Sequence, residues 1–230
     1  MNKQLLNEII KSYIEFSLTE REALYKILII LIFLLILIRR HNREILALNL
    51  RKTQINKALE TLCKKVNYKG EYKLPKEIEN KLNKNNFDRN SIIMFVANIM
   101  KHLGLPNAIP GIKVNYVNKG EDIKPGTCNL YPDGQSNITI NIQPDYNLNI
   151  IAATVIHECM HHYLNIKRIS FKDRIENEIL TDTCAIYCGF GKYMYEGYII
   201  RTKKYKYENK LHKIGYLTQA EIKYIIRKLD

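Results

Sequence analysis

A chain of 230 residues can hold one core of ordinary size with room for an appendage, and 36 Lys and Arg against 23 Asp and Glu give it a formal charge of +13. Lys, Ile and Asn are used heavily throughout, and the charge comes with no RNA-recognition signature, second Cys/His set or glycine-rich phosphate loop, so no nucleic-acid partner is expected. The five cysteines are odd in number and lack paired spacing, which argues against a disulfide framework and suits a reducing compartment.

Residues 1–22 alternate charged and apolar groups and read as an amphipathic segment. From Ile27 to Ile38 every residue is Ile, Leu or Phe; carried back to Ala23 the stretch is 16 residues, about 24 Å as a helix, somewhat short of a bilayer span. It shows no polar stripe, and Lys26 and Arg39 can snorkel from its ends, so 23–39 is expected to be a transmembrane helix in contact with the lipid bilayer. Arg39, Arg40, Arg43, Arg51 and Lys52 follow it. By the positive-inside rule the chain is expected to be a single-pass membrane protein with residues 39–230 in the cytoplasm. Residues 40–70 keep a helical period and read as a juxtamembrane helix, broken at Asn67-Tyr-Lys-Gly70, with one domain from 71 to 230.

Within that domain Lys76–Leu82 and Ser91–Leu103 are predicted helices. Ile112–Val117 is a predicted strand, and Thr127–Tyr131, Pro-Asp-Gly and Ser136–Ile142 form a predicted hairpin. An apolar run, Leu148, Ile150, Ile151, Val155 and Ile156, then opens a helix with Asp145 or Asn147 as its N-cap.

That helix carries His157-Glu158-Cys-Met-His161. Residues four apart on a helix lie about 40° apart around its axis, so both imidazoles leave one face and can share an ion, with Glu158 beside it. Imidazole suits Zn²⁺, and the adjacent carboxylate can take a proton from metal-activated water. Cys159 and His162 lie on other faces and are left out of the metal shell. Two histidines need a third donor. After a capping box at Ser170–Asp173, a second helix from Arg174 to Tyr187 carries Glu178 and Asp182 on one face, either of which can turn toward the histidines.

His157-Glu-x-x-His161 followed by Asn177-Glu178-x-x-x-Asp182 resembles the gluzincin metallopeptidases over about residues 150–190. Leu164 and Lys167 stand where a metzincin would need Gly and His. The resemblance implies that His157, His161 and Glu178 bind zinc, that Glu158 is the general base, and that Asp182 orients His157 from outside the ligand set. Tyr187, Tyr216 and His212 are open candidates for the oxyanion donor.

Farther on, Arg201–Lys210 interleaves Lys and Tyr, and Thr218-Gln-Ala-Glu221 is a second capping box opening a last helix. The expectation is an α+β zincin-like domain behind one transmembrane helix, a membrane-anchored zinc metallopeptidase acting on a peptide or protein substrate. The alternative is a catalytically degenerate zinc-binding interaction domain at the membrane.

Overall fold

The computed structural model describes residues 51–84, 87–197 and 215–229, the backbone of two strands between 199 and 213, and scattered positions between 7 and 39. Two compact units divide at Arg51/Lys52. The second, Lys52–Asp230, is α+β.

It begins with a helix through residues 52–65 (α1) whose Ile55, Ala58, Leu59 and Leu62 recur at helical spacing and are all buried. This is the C-terminal part of the segment read above as juxtamembrane, 40–70, and its apolar stripe belongs to the core of the domain. Helix α2 (Lys76–Lys84) buries Ile78 and Leu82. Helix α3 (Arg89–His102) starts where Asp88 accepts the Ser91 amide at 2.8 Å, and buries Ile92, Phe95, Val96, Ile99 and Met100.

Three strands follow: β1 (Gly111–Tyr116), β2 (Gly126–Leu130) and β3 (Ser136–Ile142), in the order β1-β3-β2. The predicted hairpin is the antiparallel pair β2–β3; β1 pairs with β3 in parallel. Ile138, Ile140 and Ile142 alternate along β3 and bury together, which fixes the face the sheet turns to the helices. Strand β2 is therefore an edge.

Helix α4 (Leu148–Ile166) lies at the centre, packed on β2, β3, α3, α5 and α6. Asn147 is its N-cap, accepting the Ile150 amide at 3.0 Å. A helix enclosed on nearly all sides needs apolar residues all around, which explains its unbroken apolar run. Helix α5 (Arg174–Ala185) is capped by Asp173, not by Ser170, and runs into a π-turn, Ile186–Phe190, that kinks at Gly189 before the short α6 (Gly191–Glu196). A β4 (Ile199–Tyr205) and β5 (Glu208–Lys213) hairpin leads to α7 (Gln219–Leu229). The capping box before α7 is reciprocal, with the Glu221 amide donating to Thr218 Oγ at 3.2 Å and the Thr218 amide to Glu221 Oε2 at 2.6 Å.

The transmembrane expectation is corrected here. Eight of the residues 23–39 lie outside the described residues, as does most of the amphipathic segment 1–22. Among the described residues no helix is long and apolar enough to cross a membrane. The spanning helix, the single-pass topology and the cytoplasmic orientation derived from it are not supported. The physical weakness is length: about 24 Å of apolar helix does not reach across a hydrocarbon core of about 30 Å.

Candidate metal centre

Helices α4 and α5 pack against each other and bring three side chains to one point. His157 Nε2 and His161 Nε2 are 3.1 Å apart, and Glu178 Oε2 lies 3.4 Å from the first and 3.3 Å from the second. Four ligands at about 2.0–2.1 Å around a tetrahedral ion stand ~3.3 Å from one another, so the edges of this triangle match one face of such a shell.

The protons of the two rings point the same way. Asp182 Oδ1 lies 2.7 Å from His157 Nδ1 and accepts its proton. Thr181 Oγ1 gives its own proton to Asn177 O at 2.9 Å, so toward His161 Nδ1, 3.3 Å away, it can only accept. With both Nδ1 atoms donating, both Nε2 atoms present lone pairs, and they face each other and a carboxylate oxygen. Three acceptors at van der Waals contact repel unless a proton or a metal cation lies between them, and that donor set fits Zn²⁺ or a similar divalent ion.

Where no metal ion lies between them, protons compete for the same place. Burial opposes charge on His157, but the Asp182 hydrogen bond and charge, with Glu178 and Glu158, outweigh it and hold its pKa well above the ordinary value. Burial works against ionisation of Glu178 as well; hydrogen bonds with His157 and His161 win and hold it far below the usual carboxylate range. Glu158 differs, since burial raises its pKa and Glu178 adds to that, while the histidines and Lys124 only partly oppose it. Glu158 is thus the carboxylate disposed to take up a proton, and Glu178 the one disposed to stay ionised.

Asp182 is itself held. Its Oδ2 accepts the amides of Tyr216 at 2.6 Å and Leu217 at 3.0 Å, a backbone cradle supplied by the chain entering α7. Gly215 makes the cradle possible: its φ is +76°, and a Cβ there would stand 2.7 Å from both Asp182 oxygens. The second close approach is Gly126 on β2, where a Cβ would lie 2.6 Å from Glu158 Oε1 and 2.8 Å from Thr154 Cγ2, so the edge strand lies directly on Glu158.

A cleft of about 510 Å³ opens over these groups, walled by Lys124–Asn129 of β2 and its approach, by α4 and α5, and by Gly215 and Tyr216. Of the three candidate oxyanion donors, Tyr216 lines it. Tyr187 is buried elsewhere, donating to Val66 O at 3.2 Å, and the side chain of His212 lies outside the described residues. Cys128 also lines the cleft, but burial, with Glu158, pushes its thiol up to about 12, which leaves a cysteine nucleophile without its thiolate. His162 turns to the sheet, with Nδ1 2.8 Å from Ser136 Oγ and Nε2 2.9 Å from Ala108 O, and Cys159 is fully buried.

Sequence reasoning passed over Thr181 and Gly126, and offered Tyr216 as an oxyanion donor without placing Gly215–Leu217 as the cradle of Asp182. Thr181 had a signal, since it lies three residues from Glu178 on the same face of α5. The glycines had none, because what each approaches is remote in sequence. Searches of protein-family models, curated proteins and solved structures give no match to the chain.

Proposed function

We propose that the protein is a zinc-dependent metallopeptidase of gluzincin type, with His157, His161 and Glu178 as ligands and Glu158 as general base. The observation that carries this reading is the triangle of acceptors with an additional buried carboxylate that belongs to no ion pair in it. A purely structural site has no use for Glu158 and would close the fourth position with protein. Bound zinc supplies a Lewis acid that polarises a carbonyl and lowers the pKa of a water.

The residues supply the rest. Glu158, its pKa raised by burial, accepts the proton of the attacking water and returns it to the departing amine. Tyr216, at the wall of the cleft, donates to the carbonyl oxygen as charge develops there. Asp182 and Thr181 keep the two imidazoles in the tautomer and orientation that binding requires. The edge of β2 offers main-chain groups to an extended substrate, which presents the scissile bond without demanding particular side chains.

The test is metal content and hydrolysis in the full-length protein. About one zinc per chain is expected, with cleavage of a mixed peptide panel that chelator abolishes and zinc restores. Glu158→Gln should keep the metal and lose activity by on the order of 100- to 10,000-fold. A protein that takes up no divalent metal, or that cleaves equally well with Gln at 158, would rule the reading out.

A further inference from the structure

The rim of the cleft carries positive charge beyond what the hydrolytic groups pair with. Lys124, on the approach to β2, and Arg174, the first residue of α5, both line the cleft and both are exposed. Among the described residues neither makes an ion pair or a side-chain hydrogen bond. Acidic groups close in sequence are engaged elsewhere: Glu176 pairs with Lys57 at 2.7 Å, and Asp173 caps α5 by accepting the Glu176 amide at 2.8 Å.

Helix stability does not account for Arg174 either. The first turn of a helix carries the positive end of the macrodipole and disfavours a cation. Within the cleft, a divalent ion would be balanced by the carboxylates of Glu158 and Glu178. Lys124, which acts on Glu158 without forming an ion pair with it, and Arg174 then leave positive charge on two walls of one cavity.

We infer that the cleft selects peptides bearing a carboxylate close to the scissile bond, either an acidic side chain or the free C-terminus, held between Lys124 and Arg174. The inference rests on the peptidase reading and names its substrate class. Arg174 offers a planar fork that can take a carboxylate by two hydrogen bonds, and Lys124 offers a point charge from the β2 side.

The experiment measures kcat/KM of the zinc-loaded full-length protein on one peptide scaffold, with Glu or Gln flanking the cleaved bond on either side and with a free or amidated C-terminus. The carboxylate-bearing member of a pair is expected to be preferred by roughly 10-fold, and the preference to shrink in 0.5 M salt. Lys124→Gln and Arg174→Gln should each reduce the ratio, and the double variant should bring it near one. Preference confined to the free over the amidated terminus assigns the carboxylate to the C-terminus; preference confined to Glu over Gln assigns it to a side chain. Equal cleavage of all members, or a ratio unchanged in the double variant, overturns the inference and leaves the peptidase reading standing. Cleavage of no member overturns both.

Discussion

Among the carboxylates of α5 the geometry separates roles that composition does not. Glu178→Ala removes one corner of the triangle and should cost the most zinc affinity. Asp182→Ala removes only the acceptor for His157 Nδ1 and should cost on the order of 10- to 100-fold. Glu176→Ala should leave metal binding untouched, because its carboxylate faces Lys57. Zinc titration of the three variants decides the assignment: if Asp182→Ala strips the ion while Glu178→Ala retains it, the ligand set is wrong. Gly126→Ala should spare the metal and depress kcat, since the new methyl must displace Glu158 or the strand above it. His157, Glu158 and His161 were legible in sequence because a helical period puts them side by side whatever surrounds them. Thr181 was legible in principle; Gly126 was not, because nothing within β2 announces that a carboxylate 32 positions later lies on it.

At the scale of elements, one side-chain link holds helix α4 and another holds α5. His162 ties α4 to β3 through Ser136 and to the chain before β1 through Ala108. A carbonyl can only accept, so Nε2 carries the ring proton and Nδ1 accepts from the Ser136 hydroxyl. Burial holds the His162 pKa below its usual value, and the Ala108 hydrogen bond offsets this only in part. Below about pH 6.5 the unfolded chain therefore takes up a proton that the folded one resists, and the stability this neutral histidine contributes is present above that pH and lost as pH falls. The stability gap between the protein and its His162→Asn variant should accordingly narrow from pH 7.5 to pH 5.5 in urea titrations; a constant gap would mean that the ring does not titrate differently on folding. The other link is the cradle before α7. Gly215→Ala places an L-residue at positive φ, at about 1–2 kcal/mol, and pushes a methyl onto Asp182. Lower thermal stability and weaker zinc binding should appear together in that variant, and a loss of stability alone would mean that the cradle does not reach the metal ligands.

Across the whole molecule the proposed ligands join two helices, so metal binding would be coupled to folding. With free zinc at 100 times its Kd the folded state gains about 2.7 kcal/mol, so chelation should lower the thermal midpoint by roughly 5–10 °C, reversibly on adding zinc back. An unchanged midpoint would show that the triangle holds no ion. The sequence by itself determined the α+β class, the β2–β3 hairpin, the cap of α4 and the His-Glu-x-x-His face, because each follows from a local period or a turn within a few residues. It misjudged Ile27–Ile38, where hydropathy without a polar stripe was weighed above a length too short to span. Its juxtamembrane segment 40–70 shows the same limit: a stripe such as Ile55, Ala58, Leu59 and Leu62 reports that a face is buried, never against what. Only the tertiary structure decided that α5 turns Glu178 to the histidines and Asp182 to His157, that Tyr216 and not Tyr187 faces the cleft, and that Lys124 and Arg174 share its rim. Those facts depend on how separate elements cross in space, and packing between elements leaves no period in the chain that either one carries alone.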